Sequence, residues 1–213
     1  LVDAGFTAFT AEDGVYAPVR SAKRGAVLHL LGSVRRTLDS IPGRRRRLEP
    51  QAFPPPFHRI SGFPLDALEG IADRVGIKLY TMHWPMIARY WARDLVGDVA
   101  PRALDATTAA IASLLDLTDG LEGDGARLRY PEPHQPHPVG TGAQRRKIDE
   151  ATALAGGVPV VPFAHSYGPV DDVVSRWKIA GSRGSATWIN RYGYLSDAKL
   201  HALARVRDEA AVA

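Results

Sequence analysis

One pattern limits what this chain can fold into: short apolar runs ending in polar or aromatic groups alternate with apolar stripes at helical spacing. The stripes are Val27, Leu30, Leu31, Val34 and Leu38; Leu65, Leu68, Ile71 and Val75; Leu104, Ile111, Leu114 and Leu115; Ile148, Ala151 and Leu154; Val170, Val173, Val174 and Trp177; and Leu200, Leu203 and Val206. Their spacing predicts six helices, the last with Ser196 as its N-cap. Between and around them lie strand-like runs: "FTAFTAED", "RRLEPQAF", "IKLYTMHWP", "ARLRYPEP", "VPVVPFAHSYG" and "SATWINRYG".

Strands that alternate with helices imply parallel β/α units. Neither GxGxxG nor GxxxxGK[ST] occurs, so no dinucleotide or P-loop fingerprint points to an open Rossmann sheet. The expected fold is α/β, a (β/α)8 TIM barrel lacking its N-terminal one or two β/α units, with residues 1–213 as a single partial domain. The visible strands are then the third to the eighth. An open flavodoxin-like sheet is the alternative. The chain begins at Leu1 on what reads as a helix end, a glycine and a strand, so further sequence is expected upstream, and localisation stays open between cytoplasmic and secreted.

Composition removes several chemistries. There is no cysteine, which excludes disulfides, thiolate nucleophiles and Cys-ligated zinc. No apolar run is long enough for a membrane helix. The net charge is +4, but the densest basic run, Arg44 to Arg47, reads as a solvated connection after a helix, without the interleaved aromatics of an RNA-binding signature. No nucleic-acid or membrane partner is expected, and the oligomeric state is open.

In a barrel, chemistry gathers at the carboxyl ends of the strands. Here those ends carry Glu12 and Asp13; Glu49 and Gln51; His83 and Trp84; Glu132 to His137; His165, Ser166 and Tyr167; and Asn190, Arg191 and Tyr192. Strand alternation turns Thr187 and Ile189 toward the helices and Trp188, Asn190 and Tyr192 toward the barrel axis. In the same way it turns Ile77 and Leu79 outward and Tyr80 and Trp84 inward. In "RYPEPHQPHPVG", Pro131 and Pro133 hold Glu132 in extended geometry, which suits a positioned acid/base. His134 and His137, if the path between them is extended, stand too far apart to share one zinc. GxSxG is absent, so "AHSYG" is no nucleophile elbow.

These strand ends, in "DAGFTAFTAEDG", "GIKLYTMHWP", "RYPEPHQPHP", "GVPVVPFAHSYG" and "ATWINRYGYLSDAKL", resemble the later part of a TIM-barrel glycoside hydrolase-like protein. The resemblance spans most of residues 4–206 and is architectural. It implies a carbohydrate substrate, no cofactor, and a pair of carboxylates flanking the glycosidic bond. Glu132 would be the general acid/base, with Glu12, Asp13 or Glu49 as the second carboxylate. Glu49 and Glu132, on strands four and six, would match the nucleophile and acid/base of α-galactosidase-like barrels, where both are aspartates. His83, Trp84, Tyr130, His134, His165, Tyr167, Trp188, Asn190 and Tyr192 would hold the sugar. Two further readings remain: a metal-dependent hydrolase or isomerase holding a divalent ion through His83, Glu132, His134 and His165, and a barrel that binds carbohydrate without cleaving it.

Overall fold

The computed structural model describes residues 14–97, 100–119, 125–184 and 186–212. They form an α/β fold with seven helices and one four-stranded sheet. The helices are α1 (Ala17–Ser40), α2 (Phe57–Ser61), α3 (His83–Val96), α4 (Leu104–Leu114), α5 (Thr141–Ala155), α6 (Val170–Arg183) and α7 (Asp197–Val212). The strands are β1 (Gln51–Ala52), β2 (Val75–Leu79), β3 (Val160–His165) and β4 (Trp188–Asn190). All pairings are parallel and the strand order is β1-β2-β3-β4, with no closure between β1 and β4 among the described residues.

The register follows the alternation of side chains. Ala52 pairs with Ile77, Val75 with Val160, Leu79 with Ala164, and Ala164 with Ile189. Partners in a parallel ladder share a face. Of these, Ala52, Val75, Ile77, Leu79, Val160 and Ala164 belong to the main core, together with Ala88, Ile111, Ile148, Ala151 and Ile179 from the helices. Each large aliphatic residue buried there contributes about 1.5–3 kcal/mol. The opposite face holds Gln51, Gly76, Lys78, Phe163, His165, Trp188 and Asn190 by the same register. On that face Gln51 and Trp188 are exposed and Lys78 is half-buried.

Gly76 is the tight point of this second face. A Cβ there would stand 2.1 Å from Cε2 of Phe163 on the neighbouring strand. Gly76→Ala is therefore expected to displace the Phe163 ring and to destabilise the protein by roughly 1–3 kcal/mol in urea unfolding. No loss of stability would show that the two strands do not approach as described.

Three expectations are corrected. "ARLRYPEP" is not a strand: residues 125–127 form a 3-10 turn and the segment continues as coil, while β2 pairs directly with β3. Pro131 and Pro133 lack the N–H groups a ladder needs. Residues 65–67 form only a 3-10 turn, and Val75 opens β2 instead of completing a helical stripe. Gly70, at φ +74°, lies in the turn that follows, at residues 69–71, in a conformation glycine adopts without strain. Lastly, "HWPMIARYWARDLV" is helix α3, which begins inside the run read as a strand. Pro85 falls in its first turn, where a missing N–H costs nothing.

No helix among the described residues is long and apolar enough to cross a membrane.

Candidate functional site

The carboxyl ends of β2, β3 and β4 converge on a closed loop of aromatic contacts. Tyr80 follows β2, His83 opens α3, His165 ends β3, Tyr167 lies just beyond it, Tyr194 follows β4, and Tyr130 comes from the 125–140 segment. Successive ring centroids are 5.9 Å apart for Tyr80 and His83, 5.6 Å for His83 and Tyr130, and 5.4 Å for Tyr130 and Tyr167. The circuit closes through Tyr167 and Tyr194 at 5.4 Å, Tyr194 and His165 at 6.0 Å, and His165 and Tyr80 at 5.2 Å. These spacings lie in the range of favourable tilted and edge-to-face pairs.

Hydrogen bonds fix the circuit from behind. The Asn190 side-chain amide donates to the Tyr80 hydroxyl. The Tyr167 hydroxyl donates to the Pro131 carbonyl at 2.8 Å, which holds the 125–140 segment over β3. The Tyr167 backbone N–H donates to His165 Nδ1 at 3.0 Å. That bond requires Nδ1 to be the acceptor, so in the neutral ring the proton sits on Nε2. Lys199 of α7 donates to the carbonyls of Ser166 and Tyr194, at 2.8 and 2.9 Å.

Below the circuit lies a buried polar layer. Arg176 of α6 donates to the carbonyls of His165 (2.9 Å) and Tyr167 (2.6 Å) and to the Asp172 carboxylate (2.9 Å). Thr81 Oγ1 meets His137 Nδ1 at 2.6 Å. Burial, with the Arg176 charge added, holds His165 down to about 3 and His137 lower still. Burial and then the Arg191 charge lower His83 as well. Near neutral pH these rings are uncharged hydrogen-bonding groups. Burial raises the Tyr130 and Tyr167 hydroxyls, so they too stay protonated.

Glu132 lies beside this circuit. It lines an open cleft of about 380 Å³ with Arg127, Arg129, Tyr130 and Gln135. Its backbone is pinned by a local turn: Gln135 N–H donates to the Glu132 carbonyl at 2.9 Å, and the Glu132 N–H to Gln135 Oε1 at 3.2 Å. The stiffness expected of the two prolines is present, on a loop and not a strand end.

The other expected groups divide. His83, Tyr130, His165, Tyr167 and Asn190 come together as described. Trp188 and Asn190 share a face, as alternation required, but Trp188 is 54% exposed against Phe163 and Tyr192 is 81% exposed, and neither takes part in the ring circuit. Trp84 is corrected: as the second residue of α3 it turns into the core, 1% exposed, against Phe57 at 6.1 Å. It offers no face for stacking a ligand. His134 is exposed while His137 is buried, so the two do not face a common point.

Glu49 is corrected too. It precedes β1, beside the start of β2, where the Asp73 N–H donates to the Leu48 carbonyl and the Gly76 N–H to that of Pro50. Extending the register sets Glu49 level with Pro159, six residues before His165. At the rise of a parallel strand that is about 20 Å from the ring circuit, too far to act with Glu132 on one bond. Glu12 and Asp13 lie outside the described residues. Among the described residues no three His, Asp or Glu side chains converge as a metal site would need.

Tyr194, Thr81, Lys199 and Arg176 were not singled out from the sequence. Tyr194 lies within "NRYGYL", beyond β4, and only the turn at residues 192–194 carries it back over Tyr167.

Comparison of the chain with protein-family models, with curated proteins and with solved structures returns no match.

Proposed function

We propose that this is a glycoside hydrolase-like protein that binds a carbohydrate over the carboxyl ends of its strands, with Glu132 as the acid/base group. The observation that carries this reading is the ring circuit beside the Glu132 cleft. Six aromatic rings from chain-distant segments, with Tyr130 and Tyr194 exposed among them, meet a polar cleft lined by Glu132, whose backbone a local turn holds. Such a surface suits the C–H faces of a pyranose, while Asn, Gln, His and Arg groups match its hydroxyls.

A TIM barrel is the architecture proposed around it. Sequential parallel order is what a barrel wedge has, and the sheet face bearing Gln51, Lys78 and Trp188 is the one a closed barrel would turn inward. Hydrolysis needs a second carboxylate as nucleophile or base; of those nominated from the sequence, Glu12 and Asp13 remain, since Glu49 is at the other end of the sheet.

The test is calorimetric titration with a panel of neutral oligosaccharides. One sugar class is expected to bind saturably, and Tyr130→Ala to weaken it roughly tenfold, the scale of one lost aromatic anchor. Glu132→Gln should keep binding within about threefold and abolish turnover of the same sugar. Binding indifferent to both Tyr130→Ala and Tyr194→Ala would sink the proposal. Binding with turnover retained in Glu132→Gln would remove the acid/base role.

A further inference from the structure

A second cavity, of about 410 Å³, opens where α1 crosses α2. Its lining shares no residue with the ring circuit or the Glu132 cleft. The crossing is close because Gly62 caps α2 in the left-handed region, at φ +74°, and a Cβ there would come within 2.6 Å of Lys23 Cβ. Lys23 fastens the contact by donating to the Ile60 carbonyl at 3.1 Å.

The lining is strongly basic. Arg20 and Arg24 come from α1 and Arg59 from α2, whereas Asp66 is the one carboxylate among the described lining residues. Arg24 already engages both Asp66 oxygens, at 2.6 and 3.1 Å. Arg59 has no ion-pair partner among the described residues. His58 forms part of the wall, 6% exposed, and its Nδ1 has no hydrogen-bond partner among the described residues. Ser21 adds a hydroxyl, and Phe63 and Leu154 add an apolar side. The planar fork of a guanidinium matches phosphate oxygens two at a time, and that of Arg59 has no carboxylate on it among the described residues. The cavity exceeds a bare phosphate and falls in the size range of small-molecule sites.

We infer that this cavity binds a small phosphate monoester, its dianion on Arg59 with Arg24 and His58 beside it, and its organic part on Phe63 and Leu154. An anion there would also stabilise the imidazolium of His58, whose pKa of about 4 reflects burial first and then the Arg59 and Arg24 charges, against the opposing charge of Asp66.

The experiment is an NMR titration of the whole chain with glycerol phosphate and, separately, inorganic phosphate, up to about 10 mM, following the His58 ring. Saturable binding is expected for both, with the monoester at least about threefold tighter, and the His58 pKa should rise on saturation. Arg59→Ala, an exposed change that leaves the core intact, should weaken binding about tenfold or more, while Arg46→Ala should leave it unchanged. No saturation, binding unaffected by Arg59→Ala, or equal loss in Arg46→Ala would overturn the site. Glycerol phosphate binding no tighter than inorganic phosphate would overturn its assignment to a monoester.

Discussion

Between pH 7 and pH 5 the protein is expected to lose up to about 5 kcal/mol of its unfolding free energy, enough to bring an ordinary domain close to its midpoint. Three deeply buried histidines dominate this, and His83, lowered by burial and the Arg191 charge, adds in the same direction. Burial is the leading cause in each: it holds His58 at about 4 and His165 at about 3, and it drives His137 down furthest. All three are less than a tenth exposed. Unfolded, each ring titrates near 6.5 and takes up a proton that the folded state refuses. Their contribution is therefore complete above about pH 6.5 and declines below it, by up to ~1.4 kcal/mol per pH unit for each ring, until the folded-state value is reached.

Asp66 and Asp73 act in a separate window. Hydrogen bonds and ion pairs with Arg24, Leu48 and Arg45 lower them, so their contribution declines only below the usual carboxylate range. Urea unfolding at pH 8, 7, 6 and 5 separates the two. The midpoint should fall only slightly from pH 8 to 7, where the buried Lys147 amine, its pKa lowered to about 8 by desolvation, regains its proton, and then fall steeply. His58→Gln should reduce the slope by about a third, since one of three comparable rings is removed. A midpoint unchanged down to pH 5 would mean that the rings are not buried neutral.

β2, β3 and β4 were legible because their apolar runs alternate or stay apolar throughout, and Trp188 and Asn190 fell on the face that alternation assigned. Helix α3 was hidden because it opens at His83, only four residues after β2 ends at Leu79. Yet Trp84, Ile87, Ala88, Trp91 and Ala92 recur at helical spacing and line the core. Glu49 was misplaced by a small boundary error: β1 begins at Gln51, and the shift moves the carboxylate to the opposite end of the sheet.

The site itself was legible by composition and not by geometry. Polar and aromatic strand ends announced that something gathers there. Which rings touch depends on how the 125–140 segment and the turn after β4 fold back over β3. The Tyr167–Pro131 hydrogen bond and the Tyr194 contacts are tertiary facts with no local signature. The same holds for Arg176, which reads in sequence as one more polar residue of an amphipathic helix and is in fact 2% exposed.

Replacing Arg176 by Met is expected to cost about 3–5 kcal/mol, the range for breaking a buried ion pair from one side. The side chain joins three things at once. Two of its nitrogens satisfy the carbonyls of His165 and Tyr167, where β3 passes into α6, and its Nε holds Asp172, whose Oδ2 also accepts from the His137 N–H at 3.4 Å. Met would match the volume but leave two carbonyls and a largely buried carboxylate without their donor. Lys should rescue little, since a single ammonium cannot span the fork geometry. Asp172→Asn should be milder, because an amide oxygen still accepts from Arg176 and from the His137 backbone N–H, and the two carbonyl partners of Arg176 stay in place. For a chain of this length the Met variant should melt roughly 10 °C lower. Because Arg176 fixes the carbonyls on either side of Ser166, the His165 and Tyr167 rings should lose their mutual register, visible as collapse of the near-ultraviolet circular dichroism of the tyrosines before global unfolding. A loss below about 1 kcal/mol, or a Lys variant as stable as the parent, would show that the layer beneath the ring circuit is not held by this fork.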